Sequence, residues 1–177
     1  KNRFSFLEIL GFGCVRSEVT FVRFESPETG INIFHGRHSF EIGLDIESAR
    51  ESTDAYPIPL VLSLVEPERA ESYRYYATHT KEGVAEGVHR LADDFHRCVD
   101  AGILNDSQFF SRLKLQGKEL GKSLALETQL LQARRTAEAA WREKDYPAVV
   151  KALGPLRAAL TAAEVGKLEF AEKRGAR

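Results

Sequence analysis

Between His38 and Glu47 the chain alternates with a period of two. Phe40, Ile42, Leu44 and Ile46 fall on one side, and Glu41, Gly43, Asp45 and Glu47 on the other. Successive side chains of a strand point to opposite faces, so this run predicts a strand with one apolar and one acidic face. A sheet with one apolar face must be covered. The rest of the chain therefore has to supply strands for the edges of this one and helices for its greasy side.

Both are legible on either side of it. Val15 to Glu25 is rich in Val, Thr and Phe and reads as a strand. Ser26-Pro27-Glu28-Thr29-Gly30 is a turn sequence, because Pro presets φ and Gly accepts positive φ. Ile31 to His35 is the next strand, and Gly36-Arg37 a tight turn into the alternating run. Upstream, Phe4 to Leu10 predicts a short helix that stops at Gly11 and Gly13. Downstream, the polar stretch Glu47 to Ala55 reads as a loop and Leu60 to Leu64 as a short buried helix.

From Glu68 onward the pattern predicts helices alone. Val84, Val88, Leu91, Phe95 and Val99 form an amphipathic stripe that ends at Gly102. Asn105-Asp106 offers a cap for a short helix with Phe109, Phe110 and Leu113, and a long helix follows over about 118–144. Asp145-Tyr146-Pro147 starts another helix, which Gly154-Pro155 kinks or breaks. Thr161-Ala162-Ala163-Glu164 fits a capping box, and Gly175 ends the last helix. Trp141 and Tyr146 read as anchors of a helical hairpin like one tetratricopeptide unit, but a single copy makes no groove. The expected fold is α+β: an N-terminal antiparallel meander of about three to four strands, packed by a C-terminal helical region. No linker-like stretch interrupts the 177 residues, so they read as one domain, mainly strands over 1–65 and helical over 66–177.

The net charge of −1 points to neither a nucleic-acid binder nor a membrane-surface protein. Its distribution is uneven: residues 1–111 carry a net −7 and residues 112–177 a net +6. The plain reading is two solvated surfaces that attract each other, and the sharper one a face offered to a charged partner. Cys14 and Cys98 form no motif and read as reduced, packed thiols of a cytoplasmic protein. The longest apolar run, Tyr56 to Val65, holds two prolines and is too short to cross a bilayer. Lys1 to Phe12 lacks the features of a leader peptide, and a chain without Met is expected to begin upstream of Lys1.

Chemistry-bearing residues are scattered. His89, Asp93 and His96 recur at i, i+4 and i+7, so one helix face could offer three ligands to a divalent metal. The competing reading is a solvated face on which Arg90, Asp94 and Arg97 pair at the same spacing. His35 and His38 flank a turn and could join such a site. Glu41, Asp45 and Glu47, with Glu51 and Asp54 beyond them, suit a contact surface for a basic partner better than acid–base catalysis. Gly11-Phe12-Gly13 lacks the third glycine of a dinucleotide fingerprint, and Ser39 has no nucleophile elbow around it. Arg134, Arg135, Arg142 and Lys144 could touch phosphates, but no aromatic platform interleaves them.

Val22-Arg23-Phe24-Glu25-Ser26-Pro27 and His35-Gly36-Arg37-His38-Ser39-Phe40-Glu41-Ile42-Gly43-Leu44 resemble segments of small bacterial α+β proteins. Some of these serve as immunity proteins beside bacterial toxins. Asp145-Tyr146 and Leu160-Thr161 to Leu168 look similar as well. The resemblance implies partner binding and assigns no catalytic residue. The sequence thus leads to a non-enzymatic protein-binding module without a cofactor, of immunity-inhibitor type. Its alternatives are a metal-binding protein or metal-dependent enzyme built on His89, Asp93 and His96, and a nucleic-acid-binding protein using the basic helices.

Overall fold

The computed structural model describes residues 2–49 and 54–175, and the chain is α+β, with an N-terminal antiparallel sheet followed by helices. A short helix α1 (Phe6–Ile9) leads into β1 (Gly13–Ser17), β2 (Phe21–Glu25), β3 (Thr29–His35) and β4 (Glu41–Ser48). These strands pair in sequence order, each antiparallel to the last. β5 (Ala55–Pro57) follows, then α2 (Ile58–Val65), α3 (Pro67–Ser72), β6 (Tyr76–Ala77) and α4 (Lys81–Asp100). β5 and β6 both pair with the free edge of β4, β6 at Glu41 and Ile42 and β5 over Asp45–Glu47.

The alternation of the sequence sets the core. Ile31 faces Ile46 and Ile33 faces Leu44 across the β3–β4 ladder, with Phe24 beside Ile31 on β2. Phe24, Ile31, Ile42, Leu44 and Ile46 are all buried. Ile58, Val61 and Leu62 of α2 and Leu91, Phe95 and Cys98 of α4 share their cluster, with Phe4 and Leu7. Fully burying each large apolar side chain is worth about 1.5–3 kcal/mol.

Several expectations are corrected. Val15 to Glu25 is two strands joined at Glu18-Val19-Thr20, where the Glu18 amide donates to the Phe21 carbonyl. That turn holds no Gly, Pro or Asn, so the sequence gives no signal for it. Phe40 lies outside β4, in the connection that begins at Gly36: its φ is +55° and its ring is exposed, between those of His35 and His79. β6 falls within the stretch read as helices alone, and β5 at the end of the stretch read as a loop. The short helix at Phe109 does not stop before residue 118 but runs on as α5 (Phe109–Arg142) through Gly117 and Gly121. Its start is held by Asp106, whose carboxylate accepts from the Gln108 amide (2.8 Å) and from Arg112 (2.9 Å).

Two compact units divide the chain, Lys1–Gly117 and Lys118–Arg177, and the division falls inside α5 rather than in a loop. The second unit joins the end of α5 to α6 (Tyr146–Leu153) and α7 (Ala162–Gly175), with a 3₁₀ segment over Gly154–Ala159 where Gly-Pro breaks α6. Its core is Ala133, Ala137 and Ala140 against Val149, Leu153, Leu168 and Ala171. Trp141 and Tyr146 meet edge to face at 5.8 Å, and Phe170 closes the trio at 5.4 and 5.7 Å. Asp145 caps α6 through the Ala148 amide (3.1 Å). The capping box at α7 forms: the Thr161 amide donates to Glu164 (2.8 Å) and the Glu164 amide to the Thr161 hydroxyl (3.4 Å).

Leu44→Ala in the first core and Leu168→Ala in the second are each expected to lower stability by about 2–5 kcal/mol in denaturant titrations. The bonds from Arg134 and from Thr161 hold the Glu164 carboxyl down at about 2. Its stabilising contribution is therefore complete above the ordinary carboxylate range and fades as the pH falls toward 2. Glu164→Gln should flatten the acid limb of the stability profile between about pH 5 and pH 2.

Candidate partner-binding face

Residues that alternate with the core build the outer face of the sheet. Across the ladders Arg23 sits opposite Asn32 and Asn32 opposite Asp45, while Gly30 faces Glu47 and Phe34 faces Gly43. The Phe34 ring lies directly over Gly43, in space that any Cβ would occupy. Arg23 is the hub of a polar network. Its Nη1 donates to Glu47 (2.8 Å) and Asn32 (2.7 Å), and its Nε to Glu25 (2.6 Å). Asn32 donates in turn to Glu47 (2.5 Å), which satisfies a side chain that is only 7% exposed.

This network decides which of the sequence's acidic residues remain available. Glu47 is engaged on its own sheet. Asp54 accepts from the Tyr56 hydroxyl (3.5 Å) and lies 3.7 Å from the Lys114 ammonium. Glu51 lies outside the described residues. Glu41 and Asp45 have no cation partner among the described residues. Both stand beside Tyr75, whose phenol is pushed up by burial and then by the charges of Asp45 and Glu41. Burial, and after it the Glu47 carboxylate, pushes the Asp45 carboxyl above its ordinary range.

The sign of that shift has a consequence. A carboxyl raised in the folded state binds its proton more tightly there than in the unfolded chain, so its ionisation works against folding as the pH rises. Asp45→Asn should therefore stabilise the protein at pH 7. The gain should vanish below the unfolded carboxylate range, where the native acid is protonated in both states. Denaturant midpoints of the two proteins at pH 7 and pH 3 check this.

The histidine face of α4 does not converge. His89 Nδ1 is 3.8 Å from Asp93, whereas His96 Nδ1 is 3.0 Å from Asp100 and its ring meets Phe6 edge-on at 4.8 Å. Among the described residues no three His, Cys, Asp or Glu side chains are grouped to hold a metal ion. His35 donates from Nε2 to the Thr78 carbonyl (2.8 Å) and so ties β3 to the segment before α4, while His38 is exposed. Arg134 is paired with Glu164 (2.6 Å) and Arg142 with Glu138, which leaves Arg135 and Lys144 as exposed cations of that set.

The pairing expected along α4 is also corrected. Asp94 is buried and accepts from Nε (2.8 Å) and Nη2 of Arg69, and Arg90 reaches back to Glu86. Cys98, buried one turn further on, has its thiol pushed up to about 12 by burial and by Asp94, which suits a packing role. The segment Tyr73-Arg74-Tyr75-Tyr76, unremarked in the sequence, turns out to wall a cleft of about 510 Å³ between α3 and α4. Its density of tyrosine and arginine was the available signal.

The fold and this site define an α+β protein with one helix-covered and one charged sheet face. Comparison with protein-family models, with curated proteins and with solved structures finds no match. No described helix is long and apolar enough to cross a membrane.

Proposed function

We propose that the chain is a non-enzymatic protein-binding module that engages a basic partner through the outer face of its sheet. The observation that carries this reading is the pair Glu41 and Asp45, without a described cation on a face where Arg23 already holds Glu25 and Glu47. Burial and the neighbouring Glu47 carboxylate both disfavour the charged form of Asp45 there. Charge retained at a cost to stability is a mark of a functional surface. A partner's Lys or Arg would relieve that cost, and the half-buried Phe34 and neighbouring Tyr75 offer aromatic contact area beside it. The carboxylates edge a sheet surface, a setting suited to binding. Within this class, the resemblance carried by Val22–Pro27 and His35–Leu44 favours an immunity-type inhibitor of a bacterial toxin.

Affinity capture from lysate of the source cell tests the reading, with the unaltered chain run against Glu41→Lys/Asp45→Lys. A protein partner should be retained by the former and lost by the latter. Its association rate should fall steeply between low and physiological salt, as charge steering requires. If the partner is a toxin, a stoichiometric amount of the chain should abolish its activity. Capture that survives the double reversal would refute this face as the contact surface.

A further inference from the structure

We propose that the cleft between α3 and α4 binds a phosphate monoester. It lies within the first unit and is lined by Arg69, Arg74, Arg90 and Arg97 together with Tyr73 and Tyr75. Four guanidinium groups around one cleft repel one another unless anions balance them. The protein balances two: Asp94 holds Arg69, and Glu86 holds Arg90. Among the described residues Arg74 bonds only to backbone, donating from Nη1 to the carbonyls of Glu71 (3.2 Å) and Tyr73 (2.6 Å), and Arg97 has no partner. Asp93, the other acid of the lining, stands 3.8 Å from His89 on the same helix. Arg74 and Arg97 therefore have no carboxylate partner among the described residues, and with Asp93 counted the cleft keeps a net positive charge that a phosphate monoester, bringing about −1.5 to −2 at neutral pH, can meet. A single carboxylate brings half of that.

The walls suit such a ligand. Arg90 is stacked at 4.9 Å on the Tyr76 ring, which fixes its plane, and the bonds of Arg74 to its own loop do the same there. Guanidiniums held in this way pay little entropy to grip phosphate oxygens in a fork. Tyr73 and Tyr75 meet edge to face at 5.4 Å, and their phenols, protonated at neutral pH, are hydrogen-bond donors. The cleft is in the size range of small-ligand sites and much larger than a phosphate group, so it has room for the body that carries the phosphate. Tyrosine rings favour an aromatic body.

Titration calorimetry on the full chain provides the test, with phenyl phosphate as the main probe. Phenyl phosphate should bind, and benzoate, which has the same ring and one negative charge, should bind at least about tenfold more weakly. Arg74→Ala and Arg97→Ala should each weaken phenyl phosphate by about tenfold or more, as expected for loss of a charge-assisted bond. Arg97→Lys should fall between, and Arg135→Ala should leave binding unchanged. Both altered arginines are exposed, and an unchanged circular dichroism spectrum would confirm that the variants fold. Adenosine monophosphate and a phosphotyrosine peptide distinguish the sources: tighter binding of the nucleotide marks a free small molecule, tighter binding of the peptide a partner's modified side chain. No heat with millimolar phenyl phosphate, equal binding of benzoate, or full affinity in both alanine variants would overturn the proposal.

Discussion

The first unit depends on the pairing of one strand. β4 takes β3 along one edge and two short strands, β5 and β6, along the other. An unpaired edge of eight residues would leave a row of backbone donors and acceptors open to any passing strand. Its closure by two separate pieces is what brings the chain back twice to the same place. The first return carries α2 onto the core, and the second leads into α4. The same strand has period two, so burying Ile42, Leu44 and Ile46 obliges Glu41, Asp45 and Glu47 to face outward. The hydrophobic requirement inside and the electrostatic character outside are thus one fact seen from two sides.

What is free to act on that exterior depends on local pairing and not on the charge count. Arg23 engages Glu25 and Glu47, Arg69 engages Asp94, and Arg134 engages Glu164. Each such contact ties up charges that a partner could otherwise address. Such contacts fall within one stretch and leave its net charge of −7 or +6 unchanged, but they decide which single charges a partner can address. Isolated charges such as Asp45 and Arg97 then matter more than runs of them, since neither has a counter-ion among the described residues to compete with a ligand.

The core strands were readable because burial imposes periodicity. Ile31, Ile33, Ile42, Leu44 and Ile46 alternate and are all buried, and the stripe of α4 around Leu91 and Phe95 lies in the core as its spacing requires. The caps at Asp145 and Thr161 were readable because their chemistry is local. The illegible parts are those set by distant residues. β5 and β6 have three and two residues, too few to show a period, and exist because β4 has an edge to fill. The turn at Glu18-Val19-Thr20 lacks the residues that mark turns. Asp94 looks like any surface acid until Arg69, 25 positions earlier, is brought beside it. For the same reason the acidic stripe was visible but its division into engaged and available members was not. The tyrosine-arginine cleft needs three elements to be assembled before it exists.

Gly87 sits in the middle of α4, where glycine costs roughly 0.5–1 kcal/mol relative to alanine. The reason is contact: a Cβ there would overlap Ile42 of β4 and the ring of Tyr76 on β6. At this point the helix backbone packs directly on those two side chains. One wall of the cleft is thus set by how closely α4 approaches Ile42 and Tyr76, both of which line it. Any side chain at position 87 would have to displace both of them and so reshape the cleft.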